Sequence, residues 1–313
     1  MLLYTIKRLL WMIPTLMGGL FLVFSLTYLM PGDPASAMLG PTATQAKIDA
    51  MHIRLGLDLP IYERYWKFLT SALQGDLGVS IWTGHEVSAL IGSVLPKTAI
   101  LAVSTIAFAS LFGIGLGALA AINKGGIIDK ICNYGSLLNL AIPSFVAAIL
   151  LMMVFGVWWQ IFPIMGAGEG EGFWSAVHHL VLPVIAMSTG WAAFMLRIQR
   201  ETMIETLGSD YIRTARSFGA PRWHIVYRYA LKNSIIPSIT ILGMGLGALF
   251  GGAVFVEIIF NRQGLGQLIV QSIYKRDLPI VQGGVLVAMV LFVITNIIAD
   301  LIVAWVDPRT RLK

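Results

Sequence analysis

Six stretches of this chain run for about twenty residues or more without a charged side chain: residues 9–30, 98–123, 131–159, 177–196, 234–256 and 278–299. Each is long enough to cross the hydrocarbon core of a bilayer as a helix. Lipid offers no hydrogen bonds to backbone groups, so only helices and closed barrels span it. Barrel strands would appear as runs of about ten residues with alternating polarity, and no such alternation is present. The composition agrees, with 57% hydrophobic and only 12% charged residues, where soluble domains carry about 25% charged. The expected fold class is an all-α integral membrane protein with six transmembrane helices.

The first run follows Lys7 and Arg8 and precedes Ala35-Ser36-Ala37, which resembles a signal-peptidase site. A signal core spans about 7–15 apolar residues; this run is longer and is read as a retained helix, ended by the turn residues Pro31-Gly-Asp-Pro34. The chain then divides into residues 1–30, an extracytoplasmic region 31–97 and a membrane core 98–313. The outer region carries an amphipathic helix around residues 62–73 and a turn at Gly75-Asp-Leu-Gly78. It is too short for a large separate domain but long enough to cap a helix bundle.

The net charge of +6 reports topology rather than nucleic acid. Pieces 1–8, 123–130, 197–233 and 307–313 hold 2, 2, 7 and 3 Lys or Arg, 14 over 60 residues. The alternate pieces 31–97, 159–177 and 257–281 hold 8 over 111 residues. The excess of basic residues marks the first set as cytoplasmic, which puts both termini inside the cell.

Small residues recur every four positions at Ala109, Gly113, Gly117 and Ala121, and again at Gly243, Gly247 and Gly251. Such stripes let helix backbones approach closely in lipid; bundle packing and a partner- or pore-facing role are both open. Chemistry-bearing motifs are sparse. No phosphate-cradling G-x-x-x-x-G-K-[ST] loop occurs, and Gly243-Met-Gly-Leu-Gly247 has the wrong spacing for a dinucleotide fingerprint. The single cysteine, Cys132, excludes an internal disulfide and a multi-cysteine metal site. His178 and His179 are adjacent and diverge by about 100° on a helix, so they share no metal ion. Glu169 and Glu171 fall in the glycine-rich stretch 166–172, where two carboxylates suit a cation but are read as solvated. Asp300 is the one intramembrane carboxylate, with Asn296 four residues before it. An ion-coupled secondary carrier would rest on that residue.

Energy input points instead to residues 197–237. Ser209 suits an N-cap, Asp210 the first turn, Arg213 and Arg216 later turns, and Gly219 the position just past the end. Tyr211, Ala215 and Phe218 share one face. Pro221 suits the start of a second short helix, with Trp223, Val226, Tyr227 and Ala230 on one side and Arg222, Arg228 and Lys232 on the other. The result is a two-helix elbow. Basic amphipathic helices lie on anionic lipid, and aromatic and Arg side chains equally serve as protein–protein anchors.

Tyr211-Ile-Arg-Thr-Ala-Arg-Ser-Phe-Gly219 followed by Asn233-Ser-Ile-Ile-Pro237 resembles the cytoplasmic coupling loop of ABC importer permeases of the peptide/nickel family. Further matching stretches are Pro31-Gly-Asp-Pro34, Leu55-Gly-Leu-Asp58, Gly75-Asp-Leu-Gly78, Gly264-Leu-Gly266, Arg276-Asp277, Pro279-Ile-Val-Gln-Gly283 and Asp307-Pro-Arg309, which span nearly the whole chain. Arg213-Thr214-Ala215 stands where the broad family has Glu-Ala-Ala, Arg262-Gln263 where Trp-Pro is common, and Leu278 where Tyr is common. The resemblance implies a type I ABC importer permease that pairs with a second, homologous permease. It implies two ATPase subunits that bind ATP and Mg in place of this chain, and an extracytoplasmic substrate-binding protein. It makes residues 209–232 the ATPase-coupling segment, through Asp210, Tyr211, Arg213, Thr214, Ala215, Arg216, Phe218, Gly219, Ala220 and Arg222. Di- and oligopeptides are the implied cargo, with glutathione, nickel chelates and metallophores as alternatives.

Overall fold

A computed structural model describes residues 2–29, 34–39 and 43–306. They form α1 (Leu2–Leu29), α2 (Pro34–Leu39), α3 (Gln45–Leu55), α4 (Ile61–Leu73), α5 (Val87–Ile122), α6 (Ile127–Ala141), α7 (Ser144–Trp158), α8 (Phe173–Leu207) and α9 (Asp210–Ser217). Then come α10 (Arg222–Gly252), α11 (Val254–Ile259), α12 (Leu265–Lys275) and α13 (Leu278–Val306). The motif residues 31–33 and 307–309 lie outside the described residues. Among the described residues the one strand-like feature is a bridge between Val79 and Glu86.

Four helices are long and apolar enough to span a membrane unbroken: α5, α8, α10 and α13 over Leu278–Ala299. Helix α1 is 28 residues long, roughly 42 Å at 1.5 Å per residue, with its apolar stretch at Leu10–Ser25. The third expected span is not one straight helix. It breaks at Ile142-Pro143, where α6 and α7 meet at 101°. Pro143 has no N–H to donate and takes an extended ψ of 145°, so it starts α7 rather than continuing α6. Pro183, by contrast, is buried inside an unbroken α8. Two further spans have other ends than the charge pattern indicates. Helix α8 continues past residue 196 to Leu207, and α10 begins at Arg222 rather than residue 234.

The described residues fall into two compact units, one within 2–98 with 263–293 and the other within 99–262 with 294–306. In the first, Tyr65 of α4 packs edge-on against Phe21 and Phe24 of α1, with centroids 5.7 and 5.6 Å away, and its hydroxyl donates to the Met17 carbonyl at 2.9 Å. Burial pushes the Tyr65 phenol pKa up. Val87, Ile91, Leu265 and Ile280 form a second core. Asp277, 2% exposed, accepts from the Ser80 hydroxyl at 2.5 Å and the Ile81 N–H at 3.1 Å. The Thr98 hydroxyl accepts from the Leu265 N–H at 2.8 Å. At the expected turn, Asp76 accepts from the Gly78 N–H at 2.8 Å, and Gly75 and Gly78 take the positive φ values that only glycine adopts cheaply.

In the second unit α8 is the central helix. Half of its membrane-length window is buried, against 28–29% for the other three unbroken spans. The glycine stripe of α5 fits against it. A Cβ on Gly113 would lie 2.7 Å from the Met195 Cβ and 2.9 Å from the Ala192 carbonyl, and one on Gly117 would lie 2.6 Å from the Leu196 carbonyl. That stripe is occupied by packing within the chain. On α10, a Cβ on Gly243 would collide with Ala299 of α13, and one on Gly245 would meet Trp191 and Ile106 at 2.9 and 3.1 Å. Gly247 is buried, while Gly251 has open space. Close approach on α10 thus uses Gly243 and Gly245 and does not extend along the stripe to Gly251.

Gly117→Ala is expected to cost about 1–3 kcal/mol, because the methyl must displace backbone on α8. Gly115→Ala, with nothing within 4 Å of its Cβ, should leave thermal unfolding of the detergent-solubilised protein unchanged. Equal melting temperatures for the two variants would contradict this packing.

Candidate coupling site

The segment after Leu207 is shorter and more firmly seated than a free loop. Gly208 and Ser209 end α8, and Ser209 adopts the extended conformation of an N-cap with φ −69° and ψ 156°. Its carbonyl accepts from the Arg213 N–H at 3.1 Å. Its hydroxyl does not cap α9, as the residue type suggests; it turns back and donates to the Thr206 carbonyl at 2.6 Å. Asp210 occupies the first turn, favourable toward the helix dipole, and lies 3.4 Å from Arg213. Both side chains are strongly exposed, so this pair adds little stability. The Thr214 hydroxyl donates to the Asp210 carbonyl at 3.0 Å.

The far end closes as the glycine requires. Gly219 has φ +77°, its N–H donates to the Arg216 carbonyl at 3.0 Å, and the Ala220 N–H donates to the Ala215 carbonyl at 3.1 Å. These two bonds make a Schellman motif, which satisfies carbonyls that the helix end would leave unpaired.

One side chain seats α9. Ile212 is fully buried, whereas Tyr211 is 46% and Phe218 88% exposed, and Ala215 is half-buried. The aromatic face read from the sequence therefore faces outward, and Ile212, absent from that reading, is the anchor. It is the only branched aliphatic residue between Gly208 and Ala220, which is the signal that could have found it. The Asn233 amide donates to the Tyr211 hydroxyl and the Tyr229 carbonyl, both at 3.0 Å, tying α9 to α10.

The second arm of the elbow is not a separate helix. Pro221 precedes the first turn of α10 with an extended ψ of 148°, and residues Ile225–Leu231 form a π-helix that runs directly into the apolar span. The wider π turn places Ile225, Val226 and Ala230 inward. Trp223 and Tyr227, read as apolar-side partners of Val226, are 61% and 63% exposed instead. Val226 and Ala230 join Ala121 and Met203 in one cluster, flanked by Ile122, Leu207 and Leu231. Beside it lies a cavity of about 460 Å³ lined by Ile122, Leu207, Ile225 and Val226 together with Arg216, Ala220 and Arg222. The arrangement has a buried aliphatic base and an outward set of Tyr211, Phe218, Trp223 and Tyr227 among arginines. Aromatic and Arg side chains of this kind dominate the energy of protein–protein contacts.

Two clasps on α8 were not legible in the sequence. Arg200 holds Asp129 through two bonds, Nε to Oδ1 and Nη2 to Oδ2, the latter at 2.8 Å. Gln199, fully buried, donates from Nε2 to the Ser234 hydroxyl at 2.9 Å and accepts at Oε1 from the Ser238 hydroxyl at 2.8 Å. Asp129 is the only acid in its basic piece 123–130, a faint hint of an internal partner.

The other candidates stand apart. The His178 ring packs on Phe162 at 4.8 Å, while His179 Nδ1 lies 2.8 Å from the Ser175 carbonyl. Glu171 accepts from the Ser175 hydroxyl at 2.7 Å. Burial pushes the Arg262 guanidinium below its ordinary pKa, opposed by the nearby charges of Glu257 and of Glu169, the carboxylate read as solvated. The side chain of Asp300 lies outside the described residues.

The family model for the "Binding-protein-dependent transport system inner membrane component" matches residues 113–312, and the corresponding N-terminal family matches residues 1–102. The chain is 35% identical over 313 residues to the glutathione transport system permease protein GsiC of Escherichia coli K12, covering both chains completely. It is 37% identical, with the same complete coverage, to GsiC of Pectobacterium atrosepticum. Among solved structures, the inward-facing MetNI methionine ABC transporter aligns with a TM-score of 0.56 at 18% identity, over 70% of this chain and 96% of that one. That likeness fixes the fold as the type I ABC importer permease architecture. The chain belongs to the family of inner-membrane permease components of binding-protein-dependent ABC transport systems.

Proposed function

We propose that this chain is one of two homologous permease subunits forming the translocation pathway of an ATP-driven importer for small peptides. In this reading two ATPase subunits, which carry ATP and Mg, dock on α9, and an extracytoplasmic binding protein delivers the cargo. The observation that carries it is the outward aromatic set around α9 on a seat fixed by Ile212 and the Gly219 turn. The excess of basic residues in pieces 1–8, 123–130 and 197–233 supports a cytoplasmic location for α9 and for both termini. ATPase closure displaces α9, and the bundle alternates between inward and outward access. The names of the relatives favour a thiol tripeptide, glutathione, within the peptide class.

Phe218→Asp places a charge where an apolar side chain is to be desolvated. Loss of a contact of this kind costs about 2 kcal/mol or more, roughly thirtyfold in affinity. In the purified complex this variant should shed its ATPase subunits and lose transport. Gly219→Pro, which cannot adopt φ +77°, should do the same. Retained coupling in both would reject the assignment of α9.

Substrate class can be read from uptake by the complex with its binding protein in liposomes. ATP-dependent accumulation of glutathione or of a dipeptide is expected. Uptake of a nickel chelate without either peptide would move the assignment to metal cargo. Ion-gradient-driven flux through the chain alone, lost on Asp300→Asn, would replace it with a secondary carrier.

A further inference from the structure

The strongest polar contacts within the second unit converge on one turn of α8. Gln199 and Arg200 are adjacent, so their side chains leave the helix about 100° apart and reach two different helices. Gln199 bridges Ser234 and Ser238, one turn apart on α10, and three residues later the Thr202 hydroxyl donates to the Ser234 carbonyl at 3.0 Å. Arg200 grips Asp129 in the first turn of α6, and Asp129 also accepts from the Gly125 N–H at 2.8 Å, which fixes the turn between α5 and α6. On a third side the backbone of Gly117 in α5 fits so close that a Cβ there would lie 2.8 Å from the Gln199 Cβ and 3.2 Å from the Arg200 nitrogen. Three helices are thus held at residues 199–202, about five residues or roughly 8 Å before α8 ends and the segment leading to α9 begins.

Apolar contacts between helices tolerate sliding. Hydrogen bonds and a bidentate ion pair do not: they weaken steeply with distance and angle. A fully buried glutamine with both ends of its amide bonded to serines on one neighbouring helix fixes the axial register of that pair. A space-filling role alone would be met by leucine at lower cost. We infer that the turn from Gln199 to Thr202 is the transmission joint of the permease. Gln199, Arg200 and Asp129 act as positioning residues that make α10 and the α6–α7 bend follow the displacement delivered at α9.

This inference rests on the coupling role proposed for α9, and the test separates the two. The assembled complex of both permeases, the ATPases and the binding protein is reconstituted in liposomes, and peptide uptake per ATP hydrolysed is measured beside the melting temperature. Gln199→Leu keeps the volume and removes the clasp; Asp129→Arg and Arg200→Asp each break the ion pair, and the double variant restores it reversed. Expected are continued ATP hydrolysis, melting within a few degrees of wild type for Gln199→Leu, and uptake per ATP reduced by at least about fivefold, the lower end of allosteric coupling. The reversed pair should recover much of the loss seen in the two single charge variants. An uptake ratio within about twofold of wild type in Gln199→Leu and both single charge variants overturns the joint. So does a parallel fall of hydrolysis, uptake and stability that the reversed pair does not repair, because this marks a merely structural contact. If Phe218→Asp uncouples the complex while these variants do not, the joint alone is rejected. If Phe218→Asp also stays coupled, the docking role of α9 fails first.

Discussion

Backbone close approach between α5 and α8 is the constraint from which the membrane core of this protein follows. Apolar side chains gain nothing by leaving lipid for another helix, so association depends on contact area and on polar groups with nowhere else to bond. Gly113 and Gly117 supply the first by letting α5 lie against the α8 backbone at Ala192 and Leu196. That proximity brings the end of α5, and with it the Gly125–Asp129 turn, to where Arg200 can hold both carboxylate oxygens of Asp129. One helix edge without side chains thereby determines where a charged pair can form. The pair sits where burial strengthens its attraction and both charges are bonded, the condition under which a buried pair persists.

Much of this architecture is visible in the sequence because lipid makes its demands locally. Uncharged runs mark spans, and four of them match unbroken helices. The glycine at position 219 announces a left-handed turn that few other residues adopt, and the structure places φ +77° there. The stripe at 109–121 gives the face of α5 that packs. Illegible features are of two kinds. Some are backbone irregularities: the π-helix at Ile225–Leu231 breaks the 3.6-residue period, so a face drawn at normal helical spacing put Trp223 and Tyr227 on the wrong side. The 101° bend at Pro143 has a visible cause, but its angle depends on packing around the break. Others are non-local: Asp129 and Arg200 are 71 residues apart, and Ser80 and Asp277 are 197 apart. No periodicity joins such pairs. The face drawn at helical spacing through Tyr211, Ala215 and Phe218 finds the outward side of α9 and passes over Ile212, the residue facing the protein itself.

The unit of residues 2–98 with 263–293 is held by contacts of another kind. Its stability centres on Tyr65 among phenylalanines and on Asp277, a buried carboxylate bonded to the Ser80 hydroxyl and the Ile81 N–H. Arg276, just before it, adopts a left-handed conformation at φ +59°. That costs a non-glycine residue of the order of 1 kcal/mol, and the cost is offset because it turns the chain so that Asp277 enters the core. The Arg276-Asp277 pair in the sequence is therefore a backbone device first and a charge pair second.

The irregular backbone and the polar grips are not independently distributed. The two helices that residues 199–202 of α8 hold by polar side-chain bonds are α6, which leads into the 101° bend, and α10, which carries the π-helix just before Ser234. Regular helices resist bending, and curvature concentrates at proline breaks and π segments. With α8 as a rigid joint, irregular backbone lies directly before the grip on α10, at Ile225–Leu231, and at the far end of α6, at the Pro143 break. A bundle of uniformly regular helices held by apolar contacts would spread the same displacement along every interface. In this fold the proline at 143 and the wide turn at 225–231 therefore belong to the proposed coupling path as much as the exposed phenylalanine at 218 does.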